Sequence, residues 1–140
     1  METRVRIAVI LAWMTALSAM LGSLYFSEIQ GLQPCLLCWY QRIAMYPLVF
    51  MLGMIIWDEN WNALKYAWPF CVGGALIAAW HVAIQYSPTL AAVIPCEKGY
   101  SCAVITWSLG PFTIPLLSLI AFVFVIACLI VTQRNRKEYH

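Results

Sequence analysis

Residues 112–132 read FTIPLLSLIAFVFVIACLIVT, 21 residues without a charge. A helix at the surface of a soluble protein carries an apolar stripe, not an apolar cylinder. A run of this length matches the roughly 20 residues that cross a hydrocarbon core as a helix. Working outward, residues 5–26 form a second such run with Arg6 at its edge, and residues 67–86 a third that holds His81. Residues 35–57 are a fourth, interrupted by Arg42. The uncharged part, 43–57, is only 15 residues long, so Arg42 is expected near one end, its head at the interface. The chain as a whole is 64% hydrophobic and 10% charged, far below the roughly 25% charge of soluble domains. These observations predict an all-α membrane protein, a four-transmembrane-helix bundle formed by one integral membrane domain over residues 1–140. The longest gap, 87–111, has 25 residues, too few for a separate soluble domain, because chains below about 40 residues seldom fold alone.

The basic residues set an orientation. Arg4, Arg6, Lys65, Arg134, Arg136 and Lys137 fall on one side of a four-span chain, against Arg42 and Lys98 on the other. Cytoplasmic loops carry the excess of Lys and Arg, so both termini are expected in the cytoplasm and the loops 27–34 and 87–111 outside. A net charge of +2 is too small to suggest nucleic-acid binding, and none is expected. A cleaved signal peptide is the rival reading of span one, but its apolar core would be shorter, about 7–15 residues.

The six cysteines sort by side. Cys71 and Cys128 lie toward the cytoplasmic ends of spans three and four, where small inert core residues are expected. Cys35 and Cys38 open span two, and Cys96 and Cys102 sit in the second outer loop, on the oxidising side. A Cys96–Cys102 bridge is sterically reasonable and could be purely structural. A Cys35–Cys38 bridge closes so short a loop that stabilisation is a poor reason for it, and C-x-x-C is more often redox-active or metal-binding. Zinc fits badly: the second arm is C-x5-C and the outer loops carry no His. No metal is expected.

Pro34 disfavours helix in the residue before it, so the second helix is expected to start at or just after it. Cys35, Cys38 and Arg42 then follow i, i+3, i+7 spacing and share a face. Both sulfurs would lie in the first turn, where unpaired N–H groups and the helix dipole favour an anion, with the permanent charge of Arg42 one turn below. Each effect favours the thiolate. Trp39 and Tyr40 fit an interfacial aromatic belt, and Pro47 should kink the helix. His81 is expected roughly 7 Å below the outer interface at 1.5 Å per residue. It is either a ligand contact or a neutral histidine hydrogen-bonded between helices. Residues 90–94 are too few to span and too apolar for water, which predicts a short segment lying on the membrane surface.

The run Cys35-Leu36-Leu37-Cys38-Trp39-Tyr40-Gln41-Arg42, followed by a cysteine pair before span four and by Gly110-Pro111-Phe112-Thr113-Ile114-Pro115, resembles the DsbB family of disulfide-generating membrane proteins. The resemblance covers essentially the whole chain. The second pair, with five residues between its cysteines, is similar to the short-loop members from Gram-positive bacteria. Gln41 stands where some relatives have an acidic residue, a difference expected to matter little because Arg42 is retained.

The resemblance implies catalytic roles for Cys35, Cys38, Cys96 and Cys102. An extracytoplasmic thioredoxin-like partner would reduce the Cys96–Cys102 disulfide, attacking at Cys96. Electrons would pass to Cys35–Cys38 and then to a membrane quinone held by Cys38, Arg42 and, as a further candidate, His81. Menaquinone is favoured over ubiquinone by the short-loop resemblance. A fixed cation such as Arg42 suits a head group that gains negative charge. The competing classes are a membrane scaffold stapled by inert disulfides and a metal-handling protein without redox turnover. Vitamin K epoxide reductases also combine four helices with C-x-x-C, but there the motif follows the loop pair instead of preceding it.

Overall fold

A computed structural model describes residues 2–31, 36–92 and 108–137. Five α-helices are found among them: α1 (Glu2–Leu24), α2 (Leu36–Asp58), α3 (Trp68–Tyr86), the one-turn α4 (Pro88–Ala91) and α5 (Ile114–Lys137). Four stretches are long and apolar enough to cross a membrane, Thr3–Ile29, Leu36–Asp58, Trp61–Tyr86 and Ile114–Lys137. The architecture is therefore an all-α, four-helix membrane bundle.

The four long helices close into a ring in which α1 packs on α2, α2 on α3, α3 on α5 and α5 on α1. Each long helix packs against the one that precedes it in the chain, as in an up-down bundle. The buried positions recur every three or four residues: Val5, Val9, Ala12 and Ala16 on α1, and Ala44, Leu48, Leu52 and Ile55 on α2. Cys71, Gly74, Ala78 and His81 continue the pattern on α3, and Phe122, Val125, Leu129 and Thr132 on α5. The opposite faces are equally apolar, with Phe50, Met54, Leu76 and Val123 exposed, as expected where lipid replaces water. The helices therefore gain little from moving apolar surface out of solvent, and close packing decides how they meet. Small residues make that possible. A Cβ built on Gly74 would collide with the Phe122 ring, Cδ1 lying at 2.9 Å and two further ring carbons closer still. Only glycine lets α3 approach α5 at this level.

Two threonine hydroxyls in the helices are satisfied locally. Buried Thr132 donates to the Cys128 carbonyl at 2.9 Å, and the less buried Thr15 of α1 to the Leu11 carbonyl at 2.8 Å, the back-bonding that hydroxyls adopt in helices. The indole Nε1 of Trp13 donates to the Val49 carbonyl at 3.0 Å, tying α1 to α2. Helix α2 runs through Pro47 without interruption.

At the basic end, a 3-10 turn over Trp61–Tyr66 joins α2 to α3. Arg136, in the last turn of α5, donates to the Trp61 carbonyl at 3.0 Å and to Asn62 Oδ1 at 2.6 Å. Arg134, Arg136 and Lys137 all lie in that last turn, where cations oppose the negative end of the helix dipole. At the other end, α1 continues into a π-helical segment, Tyr25–Ile29, closed by a bond from Gln30 N to the Tyr25 carbonyl at 3.1 Å. A two-residue antiparallel hairpin, β1 (Ser108–Leu109) with β2 (Phe112–Thr113), leads into α5. Its turn places Gly110 at φ +60° ahead of Pro111, a positive φ that glycine adopts freely in a tight hairpin turn. Of the stretch 90–94 expected on the membrane surface, Leu90 and Ala91 belong to the short helix α4, which packs on α3. Residues 93 and 94 lie outside the described residues.

Candidate functional site

The site is built at the end of the bundle opposite the basic cluster, around the start of α2. Cys38 is the third described residue of α2 and half-buried, toward the N-terminal, positive end of the helix dipole. Trp39 and Tyr40 follow it and are exposed, as an aromatic belt at the lipid–water boundary would be. Arg42 is one turn deeper and half-buried. Its guanidinium donates to the Ser23 carbonyl at 3.0 Å and lies 5.2 Å from the centre of the Trp39 ring. Ser23 stands just ahead of the π segment of α1. Such segments widen the turn and are frequent at functional sites. One bond to a carbonyl leaves most of the five N–H donors of the guanidinium for other partners.

Gln41, the residue before Arg42, points to a different neighbour. Its Nε2 lies 3.0 Å from Nδ1 of His81 on α3, and both side chains are buried, at 6% and 2% exposure. A Gln–His bond across a helix interface accounts for the burial of two polar groups that would otherwise be costly in an apolar setting. Adjacent residues on a helix point about 100° apart, so Gln41 reaches α3 while Arg42 reaches α1. Cys38 precedes Gln41 by three residues and Gln85 follows His81 by four. Both therefore occupy the next layer outward on the same helix faces.

Three buried side-chain oxygens at this end have no hydrogen-bond partner among the described residues: Ser27 Oγ, Gln85 Oε1 and Thr113 Oγ1. They come from the π segment after α1, the last turn of α3 and the strand before α5. Unpaired buried polar atoms are rare in folded proteins, and their concentration here fits a place where a polar head group or water completes the set. Tyr86 Oη donates to the Pro111 carbonyl at 3.3 Å and joins the end of α3 to the hairpin.

Of the sequence-predicted site residues, Cys38, Arg42 and His81 lie in the half of the bundle opposite the basic cluster, with Cys38 and Arg42 about one turn apart on α2. Cys35, Cys96 and Cys102 lie outside the described residues. His81 has the inter-helix hydrogen bond that was one of its two expected states. Sequence reasoning missed Gln41, which it treated as a neutral exchange, and did not single out Ser27, Gln85 or Thr113. A signal was available for Gln41 and Gln85: a polar residue inside a membrane span faces the bundle interior. Cys71 and Cys128 are both buried in the other half of the bundle.

A four-helix membrane bundle with a cysteine at the start of α2 and an arginine one turn deeper is consistent with a class, the membrane thiol–disulfide oxidoreductases, to which its family match assigns it. The family model described as "Disulfide bond formation protein DsbB" matches residues 5–132, and the chain belongs to that family. Its relatives include "Disulfide bond formation protein C" of Bacillus subtilis, 43% identical over 129 residues that cover 91% of this chain and 93% of that protein. "Probable disulfide formation protein C" of Bacillus cereus is 38% identical over 141 residues, covering 96% and 98% of the two chains. The protein of the same description from Halalkalibacterium halodurans is 42% identical over 127 residues, covering 89% and 92%. No solved structure matches the chain. The protein is a disulfide-generating membrane oxidoreductase of the DsbB family.

Proposed function

We propose that the protein is a protein-dithiol:quinone oxidoreductase that reoxidises an extracytoplasmic thioredoxin-like partner. The outer-loop pair Cys96–Cys102 takes two electrons from the partner's dithiol and becomes reduced as the partner's disulfide forms. Exchange with Cys35–Cys38 regenerates the Cys96–Cys102 bond and leaves the α2 pair as the dithiol. A bound quinone supplies the final acceptor, taking two electrons and two protons as the Cys35–Cys38 disulfide closes. The excess of Lys and Arg at the opposite end supports an extracytoplasmic location for this chemistry.

The chain's own residues then have definite tasks. Cys38 lies toward the N-terminal end of α2, at the positive end of the helix dipole, and supplies one of the two sulfurs of the exchanging pair. Arg42 supplies a fixed positive charge one turn from that sulfur, held in place by the Ser23 carbonyl and Trp39. Gln41 fixes the ring of His81 through Nδ1, so that His81 meets any neighbour in one orientation. Arg42 and His81, with Cys38, would hold the quinone head, whose carbonyl oxygens accept hydrogen bonds, and the unpaired hydroxyls of Ser27 and Thr113 at the same end of the bundle could donate to them. Menaquinone is the quinone that the resemblance to short-loop relatives favours.

The observation that carries this reading is the placement of Arg42, a half-buried cation one turn from Cys38 with donors to spare. The test is an anaerobic count of alkylatable thiols in the purified, reduced protein before and after adding a soluble menaquinone or ubiquinone analogue. Loss of four thiols, blocked by Cys38→Ser or Arg42→Ala, is the expected result. Thiols indifferent to both quinones would return the protein to the scaffold or metal-handling classes, which a bound-metal assay separates.

A further inference from the structure

The basic end of the bundle carries a groove that the redox chemistry does not use. It has a volume of about 340 Å³ and is lined by Arg6 and Trp13 of α1, Gly53, Ile56 and Trp57 of α2, and Glu59 just beyond α2. Arg6 Nη1 and Glu59 Oε1 lie 3.0 Å apart, with 54% and 60% of their side chains exposed. Trp57 is 88% exposed. Arg6 and Trp13 are seven residues apart on α1, so the lining extends about 10 Å from the charged pair toward the middle of the bundle. The groove is therefore charged at its mouth and apolar along its length, and it opens on a flank where Phe50, Met54 and Trp57 face outward.

Glu59 holds its place against local preference. It adopts φ +52°, the left-handed conformation that helix ends reserve for glycine or asparagine. It is also an anion at a helix C-terminus, where the dipole favours cations. An exposed ion pair with Arg6 is weak compensation, because water screens both partners. Residues held in sparsely populated backbone regions cluster at binding sites. Gly53 keeps the groove open: a Cβ there would come within 3.2 Å of the Trp13 Nε1 atom, which is itself fixed by its bond to the Val49 carbonyl.

We propose that this groove binds a phospholipid of the leaflet at the basic end whose head group is zwitterionic with a primary amine, a phosphatidylethanolamine. The phosphate accepts from the N–H donors of Arg6 that Glu59 leaves unused, and the ammonium donates to the Glu59 carboxylate. One acyl chain runs along Trp13, Gly53 and Ile56. A purely anionic head group would meet the Glu59 carboxylate beside its only cation in the groove, whereas a neighbouring phosphate and ammonium match the pair charge for charge.

The test is native mass spectrometry of the full chain, delipidated and then exposed to phosphatidylethanolamine, phosphatidylglycerol or phosphatidylcholine at equal concentration. Phosphatidylethanolamine should be retained about fivefold over phosphatidylglycerol, the upper range for one exposed charge pair. It should also exceed phosphatidylcholine, whose quaternary amine has no N–H donor. Glu59→Gln should lose that preference and shift toward phosphatidylglycerol, while Gly53→Leu should lower retention of all three. Equal retention of the three lipids by the unaltered protein, or a preference that Glu59→Gln leaves unchanged, overturns the proposal. Because the groove lies at the end opposite Cys38, thiol oxidation by quinone tests the redox reading separately.

Discussion

Adjacent glycines on α3 should respond to the same substitution with opposite signs. At Gly73 an added Cβ meets nothing within 4 Å, whereas at Gly74 it runs into the Phe122 ring, whose Cδ1 would stand 2.9 Å away and whose Cε1 and Cζ would be closer. Carbon atoms pack at about 3.5–4.0 Å, so the nearest of these contacts cannot be tolerated. The ring has no room to yield, because Phe122 is fully buried, and a Cβ cannot rotate away. Overpacking of this kind costs about 1–3 kcal/mol, and with the methyl fixed to the backbone the upper end applies. Replacing glycine in a helix returns up to about 1 kcal/mol. Gly74→Ala should therefore lose about 2 kcal/mol and Gly73→Ala gain up to about 1. Reversible unfolding of the purified protein in mixed micelles, titrated with SDS, reads both, and adding Phe122→Leu should recover part of the Gly74→Ala loss. The functional consequence follows from spacing. His81 lies two turns further along the same face, about 10 Å from Gly74, so a displaced α3 shifts His81 relative to Gln41 and, on the proposed function, should slow thiol oxidation by quinone. Equal stability of the two alanine variants would refute the claim that Gly74 sets the α3–α5 distance.

Two further outcomes are expected. A double-mutant cycle of Gln41→Ala and His81→Ala should give a coupling of about 0.6 kcal/mol and no more than about 1.7, the range for polar contacts between membrane helices; strictly additive effects would mean the pair contributes no interaction. Arg136→Ala should expose the turn Trp61–Tyr66 to faster amide exchange and cost about 1 kcal/mol, with little recovery in Arg136→Lys, since an ammonium cannot reproduce the fork that reaches both Trp61 O and Asn62 Oδ1. Unchanged exchange in the turn would show that its conformation is held by other contacts.

How far the site could be read in advance differs from residue to residue. Cys38 and Arg42 were legible because their meaning lies in spacing along one helix: four residues apart, they fall one turn from each other whatever surrounds them. Gln41 was not legible. Its role depends on His81, 40 residues away, and on which side of α2 meets α3. The π segment at Tyr25–Ile29 was equally hidden, because span one reads as a uniform apolar run and nothing in its composition marks a change of helical pitch. The strained Glu59 also escaped notice, since a glutamate after a helix reads as an ordinary solvated charge.

The sequence by itself determined the number of spans, the end of the bundle at which the basic residues gather and the dithiol motif at the start of α2. These are one-dimensional properties: a hydrocarbon core of fixed thickness selects apolar runs of one length, and helical periodicity fixes what neighbours three or four residues away can do. The tertiary structure decided which face of each helix turns inward. In water that choice is written in the alternation of polar and apolar residues. Here both faces are apolar, so the choice falls to close packing at a few points, Gly74 against Phe122 and Trp13 against Val49, and to the need of Gln41 and His81 to find each other inside an apolar bundle.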